Sequence, residues 1–450
     1  MKGETFFKLN GEESLESKKY YRNIVNCSEE LALQYTPIAL ELAITLHDGT
    51  YRDGGEPYII HPLETANYLI LLNIRNSIFE MNKNNLHNEK LAETQTIRDI
   101  DILLSSMLLH DTLEDCIDKL EGGESDFIKK YHLHPDILKY VKIMTKNKNV
   151  PGYSIEDYFE EIETYWQTLI MKLVDRGSNC STISVFEKKR MEKYVYETEE
   201  FFYSMIAKGK IMYPYFSRIF TIVKYLMVSI CESVSAVLNL DRTEHNSSYE
   251  KTFYFINGFA IGKGEMPNLL KALPLSRKYY TGLTRKSGDQ FIIHPLRVCS
   301  YLISLKIDSD DICAAALLHE IIKHCHLDYN GIEILTDYHV DPIVLDYIRL
   351  MANCEGYTLD LYYEALKQYP AVMLLKLSNR AHTCTTLTNS SDEEIRKYVD
   401  ECEKYIYPLC EYGVSHYPEY SYAIQLMWYH IRSVCNVVKS LRLSLWLIQF

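Results

Sequence analysis

The amino-acid sequence predicts an all-helical protein made of two tandem copies of one domain. Apolar residues recur at three- and four-residue intervals along much of the chain, which is the spacing of one helix face. No run of alternating β-branched residues indicates a sheet. Four sequence blocks from the first half also return in the same order in the second half. The segments with helical spacing are 34–46, 62–72, 100–110, 136–144, 168–174 and 219–237.

The internal repeat sets the predicted domain boundaries. Its matched pairs are 51–70 with 284–303, 106–115 with 315–324, 169–183 with 373–387, and 193–206 with 397–410. We therefore expect a first domain at 28–238 and a second at 268–440. A linker at 239–267 is polar at its start and Gly-rich at its end. The first copy is longer, and its polar segment 76–98 is predicted to be a surface loop with a short helix.

Charge and cysteine usage exclude some classes of protein. The net charge of -13 disfavours a protein that binds nucleic acid over a wide surface, because phosphate backbones require basic faces. A small anionic substrate stays possible, since a metal ion and a few basic side chains can make one cavity positive. The 12 cysteines show no paired C-x-x-C spacing, which predicts reduced thiols in a cytoplasmic protein.

No segment has the pattern of a membrane protein or of a secretory signal. The N-terminal residues lack an apolar core of signal-peptide length. The most apolar stretch, 220–238, contains Lys224 and Glu232, which predicts a buried amphipathic helix. The apolar end, 443–450, is too short to span a bilayer and is expected to dock on the body of the protein or on a second copy, so a homo-oligomer stays open.

Three of the repeated blocks carry residues that suit a metal site. His61, the pair His110-Asp111, and Asp175 provide two imidazoles and two carboxylates. Such a mixed nitrogen and oxygen set suits Mn²⁺, Fe²⁺ or Zn²⁺. Four protein ligands leave positions for water and substrate, so a water could be activated to attack phosphorus. An isolated buried His-Asp pair is usually structural, but three separate blocks each supply the required residue types.

Two more acids follow the His110-Asp111 pair by four positions. On one continuous helix, Glu114 and Asp115 would share a broad face with that pair. Burying four ionisable groups beside an apolar run is costly without a cation. We therefore expect Glu114 and Asp115 to be catalytic residues that orient or deprotonate the attacking water, the alternative being a solvated helix end.

Polar residues near the predicted ligands are candidates for substrate contacts. Arg52 lies in a Gly-rich stretch nine residues before His61, as expected for a phosphate-binding loop. Arg176 follows Asp175 directly, and a structural Arg-carboxylate pair is equally compatible with it. Asn179 lies one helical turn after Asp175. His47 is interpreted as a core histidine or a residue that supports a ligand.

These motifs resemble those of a known family. The patterns are H-x-G-x-x-R at 47–52, G-x-P-Y-I-x-H-P at 55–62, L-L-H-D-x-x-E-D at 108–115, K-L-x-D-R-x-x-N at 172–179 and Y-x-x-E-T at 194–198. Together they resemble the hydrolase domain of the Rel/SpoT alarmone enzymes and the stand-alone small alarmone hydrolases. The resemblance is strong over 30–238 and weak over 268–440.

The resemblance implies a fold, a reaction and a cofactor. It implies an all-helical HD domain that uses Mn²⁺ to remove the 3′-pyrophosphate of (p)ppGpp, a nucleotide, in the bacterial stringent response. Carried over by position, the metal ligands are His61, His110, Asp111 and Asp175, the catalytic acids are Glu114 and Asp115, and the nucleotide contacts fall on Arg52, Asn179 and Thr182. No segment resembles the family's synthetase domain.

Two departures from the family pattern leave alternatives open. Asp53-Gly54 stands where the family has Lys-Ser, and Gly177-Ser178 stands where it has Leu-His. Both changes spare the metal ligands and affect base and ribose recognition. An HD-type nucleotidase or phosphodiesterase acting on another nucleotide is therefore an alternative. A nucleotide-binding or antitoxin-like regulatory protein is a third possibility, which the complete ligand set disfavours.

The second copy lacks the full chemical pattern. It keeps His294 and His319, but Glu320 replaces the first aspartate and Asn379 the second. Lys323-His324 stand at the positions of the two catalytic acids. We therefore expect 268–440 to be a non-catalytic structural or dimerising domain. The alternative is that Arg285, Lys286, Ser287 and Lys323 bind a regulatory nucleotide.

Overall fold

The computed structural model describes residues 13–146, 154–240, 249–325, 331–353 and 356–443. Across these ranges the backbone is helical, and the only β-structure is two isolated bridges, Tyr51 with Pro57 and Thr284 with Gln290. The predicted all-α class is confirmed. The chain divides into two compact units, Met1–Met227 and Val228–Phe450, as the predicted tandem architecture requires.

The first unit is built from thirteen described α-helices, the last of which continues past the division. They are α1 (Glu13–Glu30), α2 (Thr36–Leu46), α3 (Ile60–Leu71), α4 (Ile74–Leu86), α5 (Glu89–Leu109), α6 (Thr112–Asp115), α7 (Asp126–Lys129), α8 (Pro135–Met144), α9 (Ile155–Glu163), α10 (Trp166–Ser181), α11 (Lys188–Glu197), α12 (Tyr203–Met212) and α13 (Ser217–Leu238). Short 3-10 helices lie at Ile117–Lys119, Gly123–Ser125, Ile183–Val185 and Pro214–Phe216, and a π-helix at Thr198–Phe202.

The second unit repeats much of this order. Its described α-helices are α14 (Tyr249–Lys263), α15 (Pro267–Tyr280), α16 (Ile293–Ser304), α17 (Asp310–Leu318), α18 (Ile321–His324), α19 (Pro342–Met351), α20 (Leu359–Leu366), α21 (Pro370–Thr383), α22 (Asp392–Glu401), α23 (Tyr407–His416) and α24 (Ser421–Val438). Short 3-10 helices lie at Gly331–Tyr338, Cys384–Asn389 and Pro418–Tyr420, and π-helices at Cys402–Ile406 and Lys439–Leu443.

Helices α3, α5 and α10 form the centre of the first unit. Helix α5 packs against α2, α3, α4 and α8, and α3 also contacts α10. Leu63 and Leu69 of α3 and Leu103 of α5 are fully buried between them. Because α3 packs against both α5 and α10, polar side chains on and beside these helices are held at fixed positions.

A carboxylate anchors the start of one helix in each unit in the same way. Asp101 accepts hydrogen bonds from the backbone N–H groups of residues 34–36 at the start of α2, at 2.7 to 3.1 Å. In the second unit Asp310 accepts from the backbone of Asn268 and Leu269 at the start of α15, at 2.9 and 2.8 Å. A carboxylate at these orphan N–H groups stabilises the helix end, so the repeat extends to this buried contact.

The polar segment 76–98 differs from its prediction as a surface loop. It is helical almost throughout, with α4 and α5 meeting at His87 and Asn88. Asn82 is buried and donates to Thr96 at 3.2 Å and to Asp99 at 2.9 Å. The polar composition of the segment did not indicate these helices, because hydrogen-bonded polar side chains make part of the contact between α4 and α5.

Two other segments with predicted roles lie at the ends of the predicted domains. Residues 239–267, expected to link the two copies, contain α14, in which Ile256 and Ala260 are buried. The C-terminal segment 443–450, expected to dock, lies almost wholly outside the described residues.

The apolar stretch near the end of the first copy forms a long helix. Within the described ranges, Pro214–Leu238 is the one helix long and apolar enough to cross a membrane, and 56% of its most apolar window is buried. Phe216, Phe220 and Met227 are fully buried. This burial is what a core helix of the protein requires.

Gly209 in α12 lies in a tightly packed part of the first unit. A Cβ at Gly209 would lie 2.8 Å from Leu169 Cδ2 and 3.2 Å from the Phe220 ring, whereas a Cβ at Gly258 in α14 meets nothing within 4 Å. We expect Gly209→Ala to destabilise the protein by about 1–3 kcal/mol through overpacking. Gly258→Ala should be neutral or stabilising, because alanine favours helices by about 1 kcal/mol over glycine. Urea denaturation followed by circular dichroism compares the two variants, and equal midpoints would contradict the expected packing.

Candidate metal centre and substrate cavity

Four side chains from three separate segments of the chain meet in the first unit. His61 lies in the first turn of α3, His110 and Asp111 lie between α5 and α6, and Asp175 lies in α10. His61 Nε2 is 3.2 Å from Asp175 Oδ1, and His110 Nε2 is 3.2 Å from Asp111 Oδ2. The crossed distances, His61 to Asp111 and His110 to Asp175, are both 3.7 Å. All four residues expected to bind metal are thus within one small volume.

The chain bends at the His110-Asp111 pair, which differs from the expected continuous helix. Helix α5 ends at Leu109 and the one-turn helix α6 begins at Thr112. The Thr112 hydroxyl donates to the Leu109 carbonyl at 2.6 Å and takes up an acceptor at the end of α5. The pair therefore occupies a helix junction and not a helix face.

Hydrogen bonds on the outer nitrogens orient both imidazoles. His110 Nδ1 lies 2.8 Å from the Met107 carbonyl oxygen, which can only accept, so Nδ1 carries the proton. His110 Nε2 is buried and has no hydrogen bond of good geometry. His61 Nδ1 lies 3.1 Å from the Ser178 hydroxyl, which donates to Glu64 Oε2 at 2.5 Å, so the serine oxygen accepts from His61. Both Nε2 atoms thus point towards the carboxylates, and a metal ion bound between them would displace any proton there and take their lone pairs.

The electrostatics of this group favour a cation at its centre. Burial acts to lower the pKa of His110, yet the carboxylates of Asp111 and Asp175 raise it to about 10. Burial also acts to raise the pKa of Asp175, but the Lys172 ammonium at 3.0 Å and the imidazoles hold it well below its ordinary value. Two ionised carboxylates in a buried site require positive charge beside them. The buried group His61, His110 and Asp175 therefore has the donor atoms and charge to hold a divalent metal ion.

A cavity of about 480 Å³ opens beside this group. Glu114 and Asp115, the predicted catalytic acids, both line it. Burial raises the pKa of Asp115, which also lies near the charges of Asp111 and Glu114, while a hydrogen bond from Tyr58 lowers it. A carboxylate with a raised pKa is a better proton acceptor than an exposed one, which suits a general base.

The predicted substrate contacts lie along the same cavity. Arg52 Nη2 donates to Asn179 Oδ1 at 2.5 Å, and Asn179 Nδ2 donates to Asp175 Oδ1 at 2.6 Å, so the arginine is linked to a metal-ligand candidate through one amide. Thr182 also lines the cavity. The Arg52 loop turns back through Gly55, whose φ of +84° is in the left-handed region that favours glycine.

Arg176 borders the cavity but is held by internal contacts. Its Nε donates to Thr198 at 2.8 Å and its Nη2 to the Tyr194 carbonyl at 2.6 Å. The guanidinium carbon lies 3.3 Å from the centre of the Tyr194 ring. These partners suit the structural role that the sequence left open, while Arg176 also lines the cavity. His47 likewise packs in the core, where its ring stacks on Tyr58 at 4.8 Å.

Sequence reasoning missed four residues that support the ligands. Lys172 pairs with Asp175, Tyr58 donates to Asp111 Oδ2 at 2.8 Å, and Ser178 and Glu64 orient His61. Helical spacing contained a partial signal, because Lys172 precedes Asp175 by three residues and Glu64 follows His61 by three. The role of Ser178 required the fold, since it comes from a different helix.

The second unit brings together a related but altered group. His294, His319 and Glu320 have potential ligand atoms within 4.8 Å of one another. His319 Nδ1 donates to the Ala316 carbonyl at 2.8 Å, matching the contact of His110. His294 Nδ1 lies 2.8 Å from Nδ1 of His382, which stands where the first unit has Ser178. The scaffold of the site is therefore retained although its ligands differ.

The hydrogen bond to His61 provides a test of metal binding. Ser178→Ala removes the oxygen that accepts from His61 Nδ1, so the ring loses its fixed orientation. We expect Mn²⁺ affinity to fall about 10- to 100-fold, the usual effect of losing a group that orients a ligand. Titration of the full chain with Mn²⁺, followed by electron paramagnetic resonance of the free ion, measures this. Ser181→Ala is the control, because that hydroxyl bonds only the Ser178 carbonyl, at 2.7 Å; an equal loss in both variants would rule out the orienting role.

Comparison with known proteins finds distant relatives. The chain is 28% identical over 164 residues to the bifunctional (p)ppGpp synthase/hydrolase SpoT of Escherichia coli K12, covering 35% of this chain and 23% of that protein. It is 22% identical over 161 residues to the guanosine-3′,5′-bis(diphosphate) 3′-pyrophosphohydrolase of Borreliella burgdorferi, covering 34% and 24%. A GTP pyrophosphokinase of Streptomyces coelicolor is 27% identical over 146 residues, covering 31% and 17%.

These relationships are partial. The chain matches about a quarter or less of the length of these relatives. No protein-family model matches the chain, and no solved structure matches it. The chain thus has distant homology over a third of its length to SpoT-type proteins, together with a buried His-His-Asp group suited to a divalent metal.

Proposed function

We propose that the first unit is a metal-dependent phosphohydrolase of the HD type that removes the 3′-pyrophosphate of (p)ppGpp. The observation that carries the proposal is the meeting of His61, His110, Asp111 and Asp175 beside a cavity that contains two further acids. The distant homology to the SpoT hydrolase of Escherichia coli favours this substrate. We further propose Mn²⁺ as the metal and residues 28–238 as the catalytic domain.

In this proposal different residues hold the metal ion, accept a proton, orient the metal ligands and bind the substrate. A divalent ion held by the four ligands supplies Lewis-acid activation of water and phosphate. Asp115, with Glu114 beside it in sequence, accepts the proton of the attacking water. Tyr58 holds Asp111 and Lys172 holds Asp175, so neither carboxylate can rotate freely. Arg52, positioned by Asn179, binds the departing pyrophosphate, and Thr182 contributes a hydroxyl to the nucleotide.

The Arg52 loop also favours a second candidate, an HD-type hydrolase acting on another nucleotide. Asp53 pairs with Arg190 at 2.5 Å at the edge of the cavity, and so offsets one of its positive charges. A nucleotide with fewer phosphates or another base would suit such an edge, and the cytoplasmic setting expected for the chain provides both kinds of substrate.

A nucleotide panel distinguishes the candidates. We expect the full chain with Mn²⁺ to release pyrophosphate from ppGpp, and Asp111→Ala and Asp175→Ala to reduce this release by at least about 1,000-fold because the ligand set is broken. Anion-exchange chromatography of the products measures it. Asn379→Ala, the position that matches Asp175 in the second copy, is the control and should leave the rate unchanged.

The same panel contains the results that would contradict the proposal. Cleavage of other nucleotides but not of ppGpp would support the second candidate. No cleavage of any nucleotide with Mn²⁺ present would support a non-catalytic binding protein. Loss of activity in Asn379→Ala would place the chemistry in the second unit.

A further inference from the structure

The second unit contains a cavity of about 460 Å³, close in volume to that of the first. Arg285, Lys286, Lys323 and His324 line it together with hydroxyl groups from Ser287, Thr383, Thr386 and Ser390. Phe291 and Leu387 add apolar surface. A cavity of this size with a few converging polar groups is typical of sites for small molecules.

Charge distinguishes this cavity from that of the first unit. Acids outnumber bases among the residues that line the first cavity, whereas the second has two acids, Glu320 and Glu394, against three Lys or Arg and two His. Substitution at matched positions produces the difference, since Lys323 and His324 stand where Glu114 and Asp115 stand in the first copy. The second cavity therefore attracts anions without requiring a metal ion.

Both acids of the cavity lie close to basic side chains of the same unit. Glu320 lies 3.5 Å from His319 Nε2, 3.2 Å from His324 Nε2 and 3.8 Å from Lys323 Nζ. Glu394 pairs with Lys286 at 2.6 Å. Each acid of the cavity thus has a basic partner other than Arg285.

Arg285 occupies the loop position that Arg52 has in the first unit. Its Nη2 donates to the Thr386 hydroxyl at 2.9 Å, in the 3-10 helix after α21, whereas Arg52 is held by Asn179 of α10. The loop turns through Gly288 at φ +86°, matching Gly55 at +84°. The loop that presents an arginine to the cavity is therefore retained although the acids opposite it are not.

We propose that this cavity binds a phosphorylated small molecule directly, through Arg285 and Lys323, with no divalent metal and without cleaving it. Basic side chains and hydroxyls are the groups that recognise phosphate in the absence of a metal. Cleavage is excluded because Asn379 replaces a carboxylate ligand and no acid remains at the positions of Glu114 and Asp115. The proposal does not depend on the reaction of the first unit.

Inorganic pyrophosphate is the probe that tests it. Isothermal titration of the full chain in excess EDTA should show one binding site per chain, because the metal-free first site presents carboxylates that repel the probe. Arg285→Ala and Lys323→Glu should each weaken this binding at least tenfold. Lys323 is 71% exposed, so its substitution leaves the core intact. Lys278→Glu is the matched control, because Lys278 is an exposed cation of the same unit that lies outside the cavity and contacts Tyr338.

Four results would overturn the proposal. They are no binding in EDTA, equal weakening by Lys278→Glu, loss of the site in Arg52→Ala, and binding that appears only with Mn²⁺ and disappears in His319→Ala. Absence of binding in EDTA would mean that the cavity has no anion site. Equal weakening by Lys278→Glu would mean that the probe is attracted non-specifically by the charge of the unit. Loss of binding in Arg52→Ala would locate the site in the first unit. Binding that needs Mn²⁺ and His319 would mean that the cavity is a metal site.

Discussion

The first unit depends on the mutual attraction of two carboxylates and two imidazoles in a space that water scarcely enters. Asp175 and His61 are almost fully buried, and each comes from a different helix. Such charges are tolerated only if every remaining donor and acceptor is satisfied. Lys172, Tyr58 and Ser178 meet this requirement, and their contacts fix where α3 and α10 can lie relative to each other.

The sequence predicted the parts of this arrangement that depend on periodicity and residue type. The helical class, the repeat and the four converging residues all follow from spacing and motif. It could not predict contacts between helices distant in sequence, such as that of Ser178 with His61. It also misread two local features. The segment 76–98 is helical and its polar groups pair across a helix contact, and α5 ends before His110, where the Thr112 hydroxyl donates to the Leu109 carbonyl.

The two units separate what the fold requires from what the chemistry requires. The carboxylates of Asp101 and Asp310 each anchor the start of a helix, and Gly209 and Gly413 each permit a close contact. Both units also contain a π-helix after the site, at Thr198–Phe202 and Cys402–Ile406. These shared features belong to packing, because they persist where the ligand set does not. The acids opposite the arginine loop vary freely, as expected of residues with no part in the core.

The contact between His294 and His382 has a consequence for what the second unit can hold. Burial lowers the pKa of both rings well below the ordinary value, so both are neutral and each has one N–H group. The two Nδ1 atoms are 2.8 Å apart, and only one proton fits between them. If His294 supplies that proton, its Nε2 is a lone pair and can ligate a cation. If His382 supplies it, His294 Nε2 becomes a donor suited to a phosphate oxygen. The tautomer that the two rings adopt thus decides whether His294 presents a lone pair or an N–H group to the cavity, a choice that Ser178 does not offer in the first unit.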